Sequence, residues 1–305
     1  MNKLVVLGSV NADHVLQVPS FPRPGETLHG ANYQVIPGGK GANQAVAAAR
    51  LQADVGFIAS IGDDAFGLDI QRRFKAEGIN TSGVKMQENC PTGIAMIQVS
   101  HSGENSICIS AEANGKLDAS SIETDFDSIR QAEYLLMQLE TPLDGIEKAA
   151  QVASENQTKV ILNPAPARAL SDGLLSNVDV ISPNETEVEV LTGVAVTDDT
   201  SAQQAANVLH EKGISLVLIT LGAKGVWLSQ DGTGELISGF RVEAKDTTAA
   251  GDTFNGALVT GLLENMSLES AIKFAHAAAA ISVTRFGAQT SIPTRIEVDE
   301  FLKNQ

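Results

Sequence analysis

The sequence predicts an α/β protein, with a central, mainly parallel sheet that carries helices on both faces, plus a small β-sheet lid. Short apolar runs alternate with helical patterns over most of the 305 residues, and polar residues follow several of these runs. Such alternation is typical of parallel strands joined by helices. No linker, repeat or low-complexity tract divides the chain, so we expect one domain over residues 1–305, with a lid formed by two insertions at about 12–37 and 92–112.

Composition and charge exclude several classes of function. The formal net charge is −16 and no Lys/Arg-rich run offsets it, which argues against binding to nucleic acid or anionic membranes. The two cysteines, Cys90 and Cys108, form no CxxC motif, so neither a disulfide framework nor a structural zinc site is indicated. The amino-terminal apolar run is too brief for a signal peptide, and no run approaches the ~20 apolar residues of a membrane span. We expect a cytoplasmic enzyme.

The first apolar run, residues 4–10, has the pattern of a buried strand that carries Asn11 and Asp13 at its carboxyl end. Ligands of open α/β sheets gather at this edge of the sheet, so both residues are candidates for ligand binding. The segment that follows, up to residue 37, contains several prolines and glycines among short alternating stretches. This composition favours a small antiparallel excursion over a core helix.

A glycine-rich segment at residues 37–51 leads into an Ala-rich stretch of high helix propensity. Glycines at the start of a helix let a ligand approach the backbone, and Lys40 and Asn43 supply polar groups there. The segment is not a Walker A loop, because Lys40 is followed by Gly41 and not by Ser or Thr. Taken alone, the glycines fit a tight turn as well as a ligand site.

A second insertion comes after a strand predicted at residues 54–61 and a helix predicted at 66–77, which Gly78 ends. Two alternating runs between residues 92 and 110 flank SGE (102–104), which predicts a β-hairpin. We expect this hairpin to join the earlier insertion in one lid sheet. Such a lid would close over the strand ends and exclude water from the site.

The second half of the chain alternates regularly between strands and helices. Strands are predicted at residues 134–139, 160–163, 178–182 and 216–221, and helices at 142–155 and, Ala-rich, at 268–284. Polar or small residues follow each strand in turn, namely Glu140, NPAPA (163–167), PNETE (183–187) and Gly222. These residues are expected to meet at one edge of the sheet.

The segment DTTAAGDTFNGA (246–257) combines a candidate phosphate site with a candidate base. Apolar residues at helical spacing predict a helix over about 252–264, with residues 249–252 at its start. The first amides of a helix lack intrahelical partners, and the small residues Ala249, Ala250 and Gly251 let an anion approach them. Asp252 is then either a helix cap, which stabilises by ~0.5–2 kcal/mol, or a base that takes a proton from an attacking hydroxyl.

Seven motifs, in order, resemble those of the ribokinase-like (PfkB) carbohydrate kinases over essentially the whole chain. They are NAD (11–13), GGKGANQA (38–45), MQLE (137–140), NPAPA (163–167), PNETE (183–187), TLGAKG (220–225) and DTTAAGDTFNGA (246–257). The glycine-rich motif and AAGDTFNGA identify the family most strongly. The resemblance implies the ribokinase-like fold and phosphoryl transfer from ATP to a sugar, with the 5-hydroxyl of D-ribose as the first candidate acceptor.

The resemblance also implies roles for individual residues. Asp252 would deprotonate the sugar hydroxyl, and the backbone amides of Ala249, Ala250, Gly251 and Asp252 would stabilise charge on the transferred group. The implied sugar-binding set is Asn11, Ala12, Asp13, Gly39, Lys40, Gly41, Ala42, Asn43, Glu140 and Asp252. The implied nucleotide-binding set is Asn184, Thr220, Leu221, Gly222, Ala223, Lys224, Gly225, Gly251, Asp252 and His276. A lone His on an Ala-rich helix is more often a packing residue, so the role of His276 depends on the resemblance alone.

Two metal ions are implied by the same resemblance. Mg²⁺ would bridge the terminal phosphates of ATP, with Glu187 ordering it through water, although a carboxylate at a helix start also fits a solvated position. A monovalent cation, K⁺, would lie beside the anion site as an activator. Its oxygen ligands would come from Asp246, Thr248, Ser282, Arg285, Gly287 and Ser291, several of them through backbone carbonyls.

Other functions stay open at the level of sequence. The same chemistry fits deoxyribose, fructose or a nucleoside as acceptor, because sugar preference depends on a few hydrogen bonds around Asn11, Asp13 and Glu140. A sugar- or nucleotide-binding regulator could share the fold without turnover, although the complete motif around Asp252 favours an enzyme. A nicotinamide dehydrogenase is disfavoured because no GxGxxG follows the first strand. The open-edged lid sheet and the resemblance both favour a homodimer through the lids.

Overall fold

The computed structural model describes residues 2–102 and 104–305, which contain thirteen strands and ten α-helices. The strands are β1 (Leu4–Leu7), β2 (Asn11–Val18), β3 (Ala31–Gly38), β4 (Val55–Gly62), β5 (Asn80–Gln87), β6 (Gly93–Ser100), β7 (Asn105–Ser110), β8 (Tyr134–Met137), β9 (Lys159–Leu162), β10 (Val180–Ile181), β11 (Leu216–Thr220), β12 (Gly225–Gln230) and β13 (Thr233–Ser238). The helices are α1 (Lys40–Arg50), α2 (Ala65–Ala76), α3 (Phe126–Gln131), α4 (Leu143–Glu155), α5 (Asp172–Leu175), α6 (Glu185–Thr192), α7 (Asp199–His210), α8 (Ala250–Leu263), α9 (Leu268–Ser282) and α10 (Arg295–Lys303). None of these described helices is long and apolar enough to cross a membrane.

The large sheet has nine strands in the order β13-β12-β11-β10-β9-β8-β1-β4-β5. The seven strands from β11 to β5 run parallel, and β12 and β13 extend the sheet as an antiparallel hairpin. Alternate residues of β1 enter two cores: Leu4 and Val6 pack with α1, α8 and α9, whereas Val5 and Leu7 pack with α4 and α7. The mainly parallel sheet with helices on both faces is therefore confirmed.

A second, small sheet has four strands in the order β3-β2-β6-β7. Strands β2 and β3 pair antiparallel, as do β6 and β7, and a parallel ladder between β2 and β6 joins the two hairpins. The small sheet agrees with the lid in the predicted fold class. Gly103, at the centre of the predicted hairpin turn, lies outside the described residues.

The first strand is shorter than the sequence predicts, which moves two candidate site residues to the small sheet. Strand β1 ends at Leu7, and Asn11 and Asp13 lie on β2. Helix α1 packs directly on the segment after β1, since a Cβ added to Gly41 would lie about 2.5 Å from its backbone. The edge strand β5 and the hairpin β12-β13 were not predicted.

Helices α1 and α8 cross in close contact. Gly256 of α8 faces α1, where an added Cβ would lie 2.6 Å from Ala47 Cβ and 2.7 Å from the Gln44 carbonyl oxygen. Real Cβ atoms do not approach other atoms this closely, so the crossing requires glycine at this position. It brings the first turn of α1, with Asn43, beside the first turn of α8, with Asp252.

We expect Gly256→Ala to push α1 away from α8 and to lower the free energy of unfolding by about 1–3 kcal/mol, the usual cost of overpacking a dense core. Chemical denaturation measures the difference. Gly173→Ala is the matched control, because the nearest atom to its added Cβ is Ser171 Oγ at 3.8 Å. We expect this control to lie within about 0.5 kcal/mol of the wild type. Equal effects of the two substitutions would contradict the close crossing.

Candidate active site

Two amide side chains of α1 hold Asp252 in the first turn of α8. Asn43 Nδ2 donates a hydrogen bond to Asp252 Oδ2 at 2.9 Å, and Gln44 Nε2 donates to Asp252 Oδ1 at 3.0 Å. The Asp252 side chain is buried. An ionised carboxylate only accepts hydrogen bonds, so one donor on each oxygen stabilises its charged form and fixes its orientation. Because these bonds go to a neighbouring helix and the N-cap residue is Ala249, Asp252 is not acting as a simple cap.

Backbone amides beside Asp252 form a candidate anion site. Ala249 has a left-handed backbone conformation, with φ 59° and ψ 15°, and turns the chain into α8. The Ala250 amide donates to the Thr247 carbonyl oxygen at 3.2 Å, whereas the Gly251 and Asp252 amides find no backbone acceptor within the described part of the chain. A Cβ added to Gly251 would have no atom within 4 Å. An anion can therefore approach these two amides.

Glu140 is fixed where three segments of the core meet. Its Oε2 accepts hydrogen bonds from Ser9 Oγ at 2.6 Å and from the backbone amide of Lys40 at 3.1 Å. The Gly41 amide in turn donates to Ser9 Oγ at 3.3 Å. Gly39 has φ 92°, and its backbone lies too close to the segment after β1 for a side chain. The glycines of this motif thus serve close backbone packing that places Glu140 and Lys40 together.

Asn11 and Asp13 lie on one face of β2, with Ala12 on the opposite face. Asn114 Nδ2 donates to Asn11 Oδ1 at 2.9 Å. The Asp13 carboxylate lies over Gly38, where it would clash with any side chain. Asp13 is 7% exposed, and its Oδ1 has no hydrogen-bond partner among the described residues. A buried acceptor without a donor is costly, so a hydroxyl-rich ligand would satisfy it.

Four carboxylates lie around the Lys40 ammonium. Burial would lower the pKa of Lys40, but Asp252, Glu140, Glu187 and Asp13 together raise it above its usual value. Burial raises the pKa of Asp13 to about 7, with Glu140 and Asp252 adding to the effect and Lys40 opposing it. The pocket therefore carries an excess of negative charge. It suits a ligand that donates hydroxyl hydrogens, and an anionic ligand that arrives with its own cations.

Asn184 and Glu187 form a capping box at the start of α6. The Glu187 amide donates to Asn184 Oδ1 and the Asn184 amide donates to Glu187 Oε2, both at 2.8 Å. Burial raises the pKa of Glu187, while the bond from Asn184 and the Lys40 charge oppose the shift. Glu187 is 8% exposed, so the alternative of a solvated carboxylate is wrong. Its charge belongs to the same pocket as Asp252.

The end of β11 lies next to this capping box. The Thr220 amide donates to the Pro183 carbonyl oxygen at 2.9 Å, and an isolated parallel bridge pairs Thr220 with Asn184. An exposed 3-10 turn follows at Gly222–Lys224, and the Leu221 amide closes it by donating to the Gly225 carbonyl oxygen at 2.8 Å. All three residues of the turn, Gly222, Ala223 and Lys224, are exposed.

His276 lies on α9 close to the same turn. It is 8% exposed and packs edge-on against Phe254 with 5.4 Å between ring centroids. Burial lowers the pKa of His276 to about 4, so the ring is neutral near pH 7. A Cβ added to Gly239 would lie 3.4 Å from the His276 ring, and the Gly239 amide donates to the Lys224 carbonyl oxygen at 3.4 Å. In the described chain His276 Nε2 has no partner, which leaves it for a ligand.

Asp246 joins two loops beside the start of α8. Its Oδ1 accepts hydrogen bonds from the amide and the hydroxyl of Thr248 at 2.9 and 2.6 Å, and its Oδ2 accepts from the Gly287 amide at 2.8 Å. Burial would raise the pKa of Asp246, but these hydrogen bonds lower it below its usual range. A charged carboxylate between two loops offers the hard oxygen donors that a cation takes.

The side chains of three other predicted cation ligands, Ser282, Arg285 and Ser291, have partners elsewhere. The hydroxyls of Ser282 and Ser291 donate to the carbonyl oxygens of Ala279 and Ala288, both at 2.8 Å. The Arg285 side chain pairs with Glu297 at 2.6 Å. Arg285 can therefore contribute only its backbone carbonyl, as the resemblance implied for several members of this set.

Some predicted site residues contribute no side chain to the pocket, and others were missed. Ala42 packs in the core beside α8, and Leu221 packs against the opposite core. Gln44 had no assigned role, although a polar residue in an otherwise Ala-rich buried helix is a signal for one. Asn114, which fixes Asn11, lies in a short 3-10 helix that carries no such signal. Arg50 was also missed; it donates to backbone oxygens of the loop that contains Gly287.

Comparison with known proteins places this chain among carbohydrate kinases. A model of the pfkB family carbohydrate kinases matches residues 1–295. The Ribokinase of Haemophilus influenzae is 58% identical over 301 residues, which cover 99% of this chain and 98% of that protein. The Deoxyribokinase of Salmonella typhi is 36% identical and covers 98% of each chain. The structure of Arabidopsis thaliana Ribokinase complexed with ribose and ATP superposes with a TM-score of 0.93 at 34% identity, covering 99% of both chains.

Asp13 makes stability depend on pH. Its folded pKa of about 7 lies above the ordinary value of 3.8, so between these pH values the folded state binds more protons than the unfolded state. The free energy of unfolding then falls as pH rises through this window. We expect Asp13→Asn to stabilise the protein at pH 8 by up to about 4 kcal/mol and to have little effect near pH 4. Urea unfolding at several pH values measures this.

The exposed Asp127→Asn variant is the control for this measurement, since its side chain is 84% exposed. We expect it to follow the wild type at each pH. An Asp13→Asn effect of the same size at pH 4.5 and pH 8 would contradict the raised pKa.

Proposed function

The chain belongs to the pfkB family of carbohydrate kinases, and we propose that it transfers the terminal phosphoryl group of ATP to the 5-hydroxyl of D-ribose, giving D-ribose 5-phosphate and ADP. The observation that carries this proposal is the Asp252 carboxylate, held between Asn43 and Gln44 beside the free amides of Gly251 and Asp252. A base and an anion site within one helical turn are the two elements that phosphoryl transfer to an alcohol requires.

We assign the proton transfer to Asp252. The carboxylate would accept the proton of the attacking hydroxyl as that oxygen bonds to phosphorus and the bond to the leaving ADP breaks. The amides of Gly251 and Asp252 would stabilise charge on the transferred group, with Ala249 and Ala250 shaping the turn that exposes them. Removing one such donor typically costs ~10²–10³ in rate.

The sugar would bind between the two sheets. Asn11 and Asp13 on β2 face Lys40, Asn43 and Glu140 on the core, and these amides and carboxylates can share several hydroxyl hydrogen bonds. Ribose is preferred as acceptor because the Haemophilus influenzae relative, at 58% identity, is a ribokinase, and the Arabidopsis thaliana relative is complexed with ribose and ATP. Deoxyribose is the second candidate, because a relative of 36% identity is a deoxyribokinase.

The nucleotide would lie along Asn184, Thr220 and the turn at Gly222–Lys224, as far as Gly225. The adenine ring of the nucleotide would approach the neutral ring of His276, which offers Nε2 without carrying charge. This path ends at the anion site of α8. The arrangement supports a transfer in line between the nucleotide and the sugar.

Two kinds of cation fit the charges of the pocket. Glu187 is a buried carboxylate in the same negative environment as Asp252, so we propose that it orders Mg²⁺ through water. When bound, Mg²⁺ would neutralise the phosphate oxygens of ATP. Asp246 and the backbone of its two loops fit K⁺, and these loops join the start of α8 to residue 287.

We also propose a cytoplasmic location, where ATP is available.

We expect Asp252→Asn to lower kcat by about 10²–10⁴-fold, because the amide keeps the shape of the carboxylate but cannot accept the proton. ADP release with ATP, magnesium and ribose measures the rate, and the melting temperature checks the fold. Asp127→Asn, an exposed substitution of the same kind, should keep the wild-type rate. A near-normal rate in Asp252→Asn would refute its role as base.

The acceptor is tested in the same assay with ribose, deoxyribose, fructose, adenosine and cytidine, each with and without potassium. Ribose-dependent turnover that potassium increases supports the proposal in full. Turnover on another acceptor would keep the assignment of Asp252 and remove that of the sugar. No turnover with any acceptor of the panel would favour the alternative function, a sugar- or nucleotide-binding regulator.

We further propose a homodimer formed through the small sheets. Val35 and Met96 both pair with His14, so they share one face of the sheet, and Tyr33 lies two residues from Val35 on the same strand. Tyr33 is 60% exposed and Met96 56%. Large apolar side chains clustered on an exposed sheet face are typical of a protein interface.

We expect Met96→Glu to convert the dimer into a monomer, because it buries a charge in the proposed interface. Sedimentation or small-angle scattering at assay concentrations gives the mass. Ile296→Glu is the control: Ile296 is a 66% exposed apolar residue on α10, away from the small sheet. A wild-type protein that is already monomeric would overturn the proposed dimer.

A further inference from the structure

A buried chain of amide side chains lies beneath Asp252. Gln44 is fully buried on α1, and its Nε2 donates both to Asp252 Oδ1 at 3.0 Å and to Asn163 Oδ1 at 3.1 Å. Its Oε1 accepts a hydrogen bond from Gln138 Nε2 at 2.6 Å. The chain continues from Asn163 Nδ2 to the Ser182 carbonyl oxygen at 3.0 Å. Every polar atom of the Gln44 side chain is therefore used.

The orientation of the Gln44 amide follows from its neighbours. An ionised Asp252 carboxylate can only accept, so the NH₂ end of Gln44 must face it and the Oε1 end must face Gln138. Gln138 then has to present its own NH₂ group to Gln44. Reversing the Gln44 amide would set its oxygen against the carboxylate of Asp252, which is repulsive. The Asp252 carboxylate thus selects the orientation in which Gln44 donates to it and Gln138 donates to Gln44.

Asn43 and Gln44 hold the same carboxylate, but only Asn43 has a side-chain atom left for a ligand. Asn43 is 5% exposed, and its Oδ1 has no partner within the described chain, so it is available to a sugar hydroxyl. Gln44 is 0% exposed and has no atom left for a ligand. Any effect of Gln44 on the reaction must therefore pass through Asp252.

We propose that Gln44 is a positioning residue that fixes the orientation of the Asp252 carboxylate for proton transfer, without contributing to substrate affinity. This inference rests on the proposed function. Rotation of the carboxylate about its Cβ–Cγ bond would break the bonds from both α1 amides, so the lone pair aimed at the acceptor hydroxyl keeps one direction. Proton transfer requires that alignment, and a displacement of about 1 Å at a reacting group costs about 10²-fold in rate.

A purely structural role for Gln44 predicts a different pattern of effects when Gln44 and Gln138 are substituted. Burying an amide in an Ala-rich helix is unfavourable by itself, and the Gln44–Gln138–Asn163 chain could serve only to tie α1 to the ends of β8 and β9. In that case Gln44 and Gln138, which are both buried and differ by one hydrogen bond in their distance from Asp252, would be equally important. Positioning of the base predicts unequal effects.

The test compares Gln44→Met with Gln138→Met, since methionine keeps the length of glutamine and cannot donate. Turnover, KM for sugar and ATP, calorimetric affinity for the sugar and melting temperature are measured for both, with the acceptor that the wild type uses best. We expect Gln44→Met to lose about 10- to 100-fold in kcat, with KM values and sugar affinity within about 3-fold of the wild type. Gln138→Met should lose less than about 5-fold in kcat.

Three results would overturn the inference. One is a Gln44→Met variant that keeps kcat within about 3-fold of the wild type; another is a parallel loss of kcat, sugar affinity and melting temperature in both methionine variants. If Gln44→Met does not fold, Gln44→Glu replaces it, because this variant keeps the volume of glutamine but sets a second carboxylate against Asp252. A wild-type kcat in Gln44→Glu is the third result that would overturn the inference. A wild type that is inactive on every acceptor would instead refute the proposed function itself, and the same assay distinguishes the two failures.

Discussion

The close crossing of α1 and α8 is the constraint on which the rest of the site depends. Gly256 permits the approach on one side, and Gly41 lets α1 pack against the segment after β1 on the other. With the helices at this distance, side chains of α1 as short as Asn43 reach the first turn of α8. The same turn is open around Gly251, where an added Cβ would have no atom within 4 Å, so the oriented carboxylate and the candidate anion site lie together in the first turn of α8.

That arrangement gathers more negative charge than the fold alone would tolerate. Asp13, Glu140, Glu187 and Asp252 share a buried pocket with a single ammonium from Lys40. Each carboxylate except Asp13 accepts hydrogen bonds that offset part of its desolvation, and burial raises the pKa of Asp13 to about 7. The buried carboxylates therefore lower the stability of the folded protein at a candidate ligand site, as is usual for functional sites. Sugar hydroxyls and cations would supply the donors and the charge that the protein itself leaves out.

The sequence indicates which residues lie near one another better than it indicates their hydrogen-bond partners. The carboxyl ends of parallel strands meet at one edge by topology, so Glu140 and Asn184 could be placed near each other without knowledge of their contacts. Pairings such as Gln44 with Asp252, 208 residues apart, depend on how two helices cross, which no local pattern encodes. The end of β1 was misplaced as well, because the run that includes Val10 gives no local signal that the strand ends at Leu7. Asn114 had no signal at all, since its role is to hold a backbone and Asn11 from a distant turn.

The candidate sugar-binding residues are divided between the two sheets because β1 ends at Leu7. Asn11 and Asp13 lie on the small sheet, whereas Asn43, Glu140 and Asp252 belong to the core. Under the proposed function, a sugar that satisfies the free oxygen of Asp13 and reaches Asp252 would have to bridge the two sheets, so its binding would be coupled to the position of the small sheet. The Asp252 carboxylate, by contrast, is oriented by α1 within the core. Under the proposed function, changes on β2 would therefore alter which acceptor is held without disturbing this carboxylate, and one arrangement around Asp252 would serve acceptors of different structure.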